Sequence, residues 1–261
     1  MHKLRVSVWI ALVLISVLSV RTSAVDQDLP APLQKMRFVL GQAVEDQHGK
    51  DAGHIKDVIF EATTGNVTYT VLTLGGFVGL GEKLFMLPWY VLQQPISNNT
   101  FRLVMSAEEL KGAPSFDPDK WPDMEDRHWT DAVHVYYGNI PALRKHLPPK
   151  TSKDERGGFV PHRFLRASVV SQGKIANTRG QFLGDIKDMV LDTAAGKVIY
   201  AVLGFGGTIG LGEKFFAIPW PELQESRGLG TFTLDVDKKI FQEASGFDKN
   251  HWPQTAESLK K

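Results

Sequence analysis

Gly53-His54-Ile55-Lys56-Asp57 is written a second time as Gly184-Asp185-Ile186-Lys187-Asp188, 131 residues downstream. Working outward at the same offset, Gly75-Gly76-Phe77-Val78-Gly79-Leu80-Gly81-Glu82-Lys83 returns as Gly206-Gly207-Thr208-Ile209-Gly210-Leu211-Gly212-Glu213-Lys214. Pro88-Trp89 returns as Pro219-Trp220, Thr100-Phe101 as Thr231-Phe232, and Phe116-Asp117 with Trp121-Pro122 as Phe247-Asp248 with Trp252-Pro253. No insertion or deletion separates the copies. Self-similarity at a fixed offset marks a duplicated structural unit. The 261 residues are 43% hydrophobic, which suits two small domains with a core each.

Within a copy the pattern is that of short strands broken by glycine turns. Ile55 to Glu61 and Asn66 to Leu74 are rich in β-branched and aromatic residues and are separated by Ala62-Thr63-Thr64-Gly65, which predicts a hairpin. Alternation places Val67, Tyr69 and Val71 on one core face, repeated as Val198, Tyr200 and Val202. Further strands are expected over Lys83 to Leu87 and Thr100 to Met105. A helix then begins at Ser106, with Glu109 reaching back to cap it; Asp237 stands at the comparable place in the second copy. Several short strands in under ninety residues predict a small barrel, since closure removes exposed edges.

The remaining segments divide as follows. Residues 1–24 read as a signal peptide: Lys3 and Arg5, an apolar run over Val6 to Val20, and small residues up to Ala24. That run is fifteen residues, shorter than the ~20 that span a bilayer. A periplasmic or secreted location is expected, with an uncleaved inner-membrane anchor as the alternative. Barrel 1 is expected over 35–122, a helical and basic linker over 123–165, barrel 2 over 166–253 and a tail over 254–261. In the linker, Trp129, Val133, Tyr136 and Tyr137 fall at helical spacing between Glu125 and Gly138. The stripe reads as packing on the first barrel; a docking helix for a partner or a membrane surface is the alternative, and Glu125, Asp126 and Asp131 suit an anionic membrane poorly.

The chain has no cysteine, which excludes disulfides, thiol catalysis and thiolate metal sites. Its formal net charge of +1 falls to about −2 without Lys3, Arg5 and Arg21, so no general attraction to nucleic acid is expected. The glycine-rich loops lack the following helix and Gly-Lys-Ser/Thr of a phosphate loop. Seven histidines remain beyond residue 24, with no His-x-x-x-His, and no Gly-x-Ser-x-Gly occurs. These absences predict no catalytic residue, no metal and no cofactor.

The candidate interaction residues are Lys56, Asp57, Glu82 and Lys83, repeated as Lys187, Asp188, Glu213 and Lys214, together with Phe77, Trp89, Tyr90 and Trp220. The charged quartets also read as ion pairs between neighbouring strands, each worth ~0–1 kcal/mol at a surface. Trp89 and Trp220 read as lids on a barrel mouth or as platforms for a ligand. Phe77, Met86 and Tyr90 face Thr208, Ala217 and Pro221 in the other copy, so if exposed they make barrel 1 the greasier surface.

Gly-x-Ile-Lys-Asp, a strand ending near Gly-Gly, then Gly-Leu-Gly-Glu-Lys and Pro-Trp resemble the PRC-barrel family in both copies. The resemblance covers about two thirds of the chain, Lys35 to Pro122 and Arg166 to Pro253. It implies a mainly β fold of two tandem barrels, each with a short C-terminal helix, and a non-enzymatic binding or scaffolding role with an envelope protein as partner. A small-ligand or envelope-polymer binder is a second expectation, requiring an open pocket at Trp89 or Trp220. The family's namesakes, the cytoplasmic barrel of the photosynthetic reaction centre and the ribosome-maturation factor, imply two more: a membrane-anchored accessory to electron transfer, and an RNA-assembly factor that the signal sequence disfavours.

Overall fold

The computed structural model describes residues 29–74, 83–93, 100–146, 163–206, 212–226 and 230–257. Repeat one contains β1 (Leu33–Lys35), α1 (Met36–Val39), β2 (Ala43–Glu45), β3 (Asp51–Glu61), β4 (Val67–Thr73) and β5 (Leu84–Pro88). It continues with β6 (Leu92–Gln93), β7 (Phe101–Leu103), α2 (Ala107–Lys111), β8 (Ser115–Phe116) and α3 (Arg127–Gly138). Repeat two contains β9 (Phe164–Arg166), α4 (Ala167–Val170), β10 (Lys174–Asn177), β11 (Phe182–Asp192) and β12 (Lys197–Phe205). It ends with β13 (Lys214–Pro219), β14 (Leu223–Glu225), β15 (Thr231–Leu234) and α5 (Lys238–Glu243). The fold is mainly β, two curled half-barrel sheets in tandem, as the tandem-barrel reading predicts. The signal segment 1–24, Phe77 and Glu82 lie outside the described residues.

The sheets run β6-β7-β2-β3-β4-β5-β8 and β13-β12-β11-β10-β15-β14. The hairpin β3–β4 is the centre of the first and β11–β12 of the second. Gly53 and Gly184 permit the close pairing there: a Cβ on either would come within 1.9 Å of a carbonyl oxygen on the facing strand, Thr73 or Gly204. Two residues on, both long strands carry a bulge, between Ile55 and Asp57 and between Ile186 and Asp188. A bulge resets the alternation of faces. Across the bulged positions Lys56 and Lys187 stay exposed, while Asp57 and Asp188 turn inward to 0% and 1% exposure.

The repeats exchange their first strands. β1, at the head of repeat one, pairs antiparallel with β11 of repeat two, Leu33 opposite Asp192 and Lys35 opposite Val190. β9, at the head of repeat two, pairs with β3 of repeat one, Glu61 opposite Phe164 and Ile59 opposite Arg166. The short helices follow their strands, α1 packing on β11 and α4 on β3. They carry Met36, Val39, Ala167 and Val170 into the interior. The large ones each contribute about 1.5–3 kcal/mol by leaving water.

This exchange corrects the expected boundaries. Phe164 and Leu165 are strand residues of the first sheet rather than linker, and Leu33 and Gln34, placed before barrel 1, belong to the second sheet. Nor does each repeat keep a core of its own. One continuous apolar cluster joins Val58, Phe60 and Val71 to Ile175, Leu203 and Trp220; a smaller one gathers Leu29, Val190, Tyr200, Val202 and Trp252.

α3 starts at an Asp126 cap and buries Val133 and Tyr137 against β5. Trp129 meets Phe116 edge-on at 5.9 Å, and the Tyr69 hydroxyl lies 3.2 Å from His134 Nε2. The stripe therefore packs on repeat one. At α2 the Ser106–Glu109 capping box has both bonds. No helix among the described residues is long and apolar enough to cross a membrane.

Candidate functional site

The Lys-Asp motif builds the junction of the two repeats. Asp57 accepts four hydrogen bonds: from Val58 N at 2.9 Å, Ser168 N at 3.0 Å, Ser168 Oγ at 2.5 Å and Arg166 Nε at 3.0 Å. Three of the four cross from repeat two. The Arg166 guanidinium also lies 3.3 Å from the centroid of the Trp121 ring, in the Trp-Pro tail of repeat one. A charge-assisted pair and a cation–π contact thus fix the same side chain.

Asp188 occupies the equivalent place with a poorer set of partners. It accepts from Met189 N at 2.8 Å and Arg37 N at 3.1 Å, and Arg37 Nε stands 3.5 Å from Oδ2. Oδ2 receives no hydrogen bond among the described residues. Burial pushes this carboxyl up to about 6, against the downward pull of the two N–H groups, Arg37 and Lys35. Lys35 takes the place of Arg166 and lies 4.5 Å from the Trp252 ring centroid.

The two prolyl-tryptophans close the same junction. Trp220 is wholly buried, donates its indole N–H to the Ala62 carbonyl at 3.0 Å, and meets Phe60 edge-on at 4.9 Å. Gly65 lies under it: a Cβ there would stand 2.8 Å from the ring. Trp89 lies against Gly196 in the same way, with a Cβ 2.6 Å from the ring. Between them Val67 N donates to the Gly196 carbonyl at 2.7 Å and Val198 N to the Gly65 carbonyl at 2.9 Å. The tryptophans seal the contact between repeats, not the mouth of a barrel. Asp57, Asp188 and Trp220 are therefore corrected from partner-facing residues to internal ones, because the other repeat covers them.

The remaining candidates disperse. Lys83 pairs with Asp117 at 2.5 Å, not with Asp57, and that bond holds the Asp117 carboxyl below its ordinary value. Lys214 donates to the Gln242 and Ala244 carbonyls at 2.8 and 2.7 Å, where the end of α5 carries partial negative charge. Lys187 pairs with Glu213 at 2.8 Å, as the strand-pairing reading expects. Lys56 is exposed, and Tyr90 is half-buried with its phenol pushed up by desolvation. Met86 is fully buried, so its difference from Ala217 adjusts the core and does not make barrel 1 a greasier surface.

Three large apolar residues are exposed among the described residues: Phe38 on α1, Val135 on α3 and, in repeat two, Phe182. Phe182 is 52% exposed where repeat one has Asp51. It borders a cleft of about 410 Å³ whose lining includes the apolar Phe182, Leu183 and Phe205 and the charged Asp185, Lys187, Glu213 and Lys238. The Lys187–Glu213 pair is part of the lining, and Lys238 Nζ lies 5.9 Å from the Phe205 ring centroid. Aligning the copies exposes the substitution of Asp51 by Phe182, which inspection of the shared motifs passes over. Apolar floor, two carboxylates and two ammonium groups suit a neutral or zwitterionic ligand segment.

The model of the PRC-barrel domain matches residues 38–110 and 165–240, more than half the chain. No curated protein matches it.

Proposed function

The chain belongs to the PRC-barrel family, and from that membership we propose that it is an exported, non-enzymatic binding module that presents one rigid two-barrel body to an envelope protein. The observation that carries this reading is the Phe182 cleft. The buried carboxylates and the tryptophans of the motif are spent on holding the repeats together, whereas Phe182 is an exposed aromatic side chain beside a polar rim. Exposed aromatic anchors beside a concave, mixed-polarity wall are the usual centres of protein recognition. Export rests on residues 1–24, whose basic start, apolar run and small residues before Val25 match a signal peptide.

The test is affinity capture of the tagged chain from envelope extract beside a Phe182→Asp variant, which restores the residue of repeat one at an exposed position. A stoichiometric partner held by the wild type and lost from the variant supports the reading. An empty bead, or the same partners on both, contradicts it.

A further inference from the structure

A second recess, which shares Lys187 with the Phe182 cleft, is made by both repeats. It measures about 230 Å³ and is lined by Arg37 from the exchanged arm and by Lys187, Val202, Phe215, Lys249, Asn250 and Trp252 from repeat two. Three cations and no carboxylate line it among the described residues; Val202, Phe215 and Trp252 are its apolar lining. Lys35 lies behind Trp252, 4.5 Å from the ring. The carboxylates nearby are each paired: Asp188 with Arg37, Glu213 with Lys187, and Asp248 with His251.

Repeat one provides an internal control. At the same offset its lining residues are Ser168, Lys56, Val71, Leu84, Pro118, Asp119 and Trp121. The frame is therefore shared, yet Arg37 stands for Ser168, Lys249 for Pro118, Asn250 for Asp119 and Phe215 for Leu84. Three of those four differences make the recess of repeat two more positive or less negative, and the fourth makes its wall aromatic. The junction needs none of these three at Phe215, Lys249 and Asn250, since Asp57 is held without their counterparts.

The geometry points to a binding site for a small anion, a phosphate or carboxylate carried on a flat apolar body, resting against Phe215 and Trp252 with its charge toward Arg37, Lys249 and Asn250. The recess is smaller than the ~300–1,000 Å³ of sites for drug-sized ligands, which limits the body to a single ring or short chain. Because Arg37 arrives on the exchanged arm, the site is complete only when the arm is docked, and an occupant stabilises the docked state.

The test is calorimetric titration of the purified protein with phenyl phosphate, benzoate, inorganic phosphate and, as a cationic control, benzamidine. Phenyl phosphate or benzoate is expected to bind about fivefold or more tightly than inorganic phosphate, with no heat from benzamidine; the stronger of the two distinguishes a phosphate source from a carboxylate source. Asn250→Asp and Lys249→Gln are expected to weaken binding about fivefold each while leaving the unfolding midpoint unchanged. Absence of heat from both aryl anions up to ~10 mM, equal binding of benzamidine, or indifference to Asn250→Asp and Lys249→Gln would overturn the proposal.

Discussion

Arg166, three residues into the described part of repeat two, donates to the Asp57 carboxylate of repeat one at 3.0 Å, and its mirror image 131 residues earlier is Lys35 beside Asp188. The pair states the architecture in miniature. Each repeat lends its head to the other, so the duplication folds as an internal two-fold unit. The symmetry is not perfect in chemistry, and the imperfections make the account testable.

Asp57→Asn should cost about 2–4 kcal/mol, since an amide nitrogen replaces the oxygen that accepts from Arg166 Nε and Ser168 Oγ and Arg166 loses its counter-charge. Asp188→Asn should cost less than about 1 kcal/mol at about pH 4 and nothing at about pH 7, because Asp188 Oδ2 accepts no hydrogen bond among the described residues and its charged form is disfavoured by burial. Urea unfolding of the two variants measures the difference; equal losses would contradict it.

The Asp188 carboxyl, raised to about 6, sets a pH dependence. Its protonated form is favoured in the fold, so its contribution is full below the ordinary carboxylate value near 3.9 and is lost as pH rises through 6. Between about pH 4 and pH 7 the wild type should lose on the order of 1–3 kcal/mol relative to Asp188→Asn. A stability difference that is flat over that range, or that grows with pH, would show that the group does not titrate this way.

Gly196→Ala should destabilise by about 2–4 kcal/mol, because the residue has φ of +60° and its new Cβ would meet the Trp89 ring at 2.6 Å. Gly180→Ala is the matched control: φ is +76° with nothing within 4 Å, so only the backbone penalty of about 1 kcal/mol applies. Similar midpoints for the two would mean that Trp89 does not bear on the junction.

Much of this fold is legible in the sequence. The common offset of 131 predicts the duplication, the β-branched runs predict β3–β4 and β11–β12, and Ser106 with Glu109 predicts the start of α2. The exchange of heads is not legible. Leu33-Gln34-Lys35 and Phe164-Leu165-Arg166 are three residues each, too short for periodicity, and either would satisfy an edge of its own repeat's sheet as well as the other's. For that reason Asp57 reads as a partner of a neighbouring strand, when its partners come from β9 and α4. Trp89 and Trp220 are recognisable as lids, but what they cover is set by the other repeat. Phe182 and the recess at Arg37 emerge only when the two copies are compared position by position.

The measurement that bears most directly on the exchanged junction is residue-resolved hydrogen exchange of Asp57→Asn beside the wild type, read at the buried amides of β3–β4 and β11–β12. One cooperative body predicts that both hairpins share a single unfolding free energy and lose the same amount on substitution. Faster exchange confined to repeat one, with β11–β12 unchanged, would show two independent barrels and contradict the account.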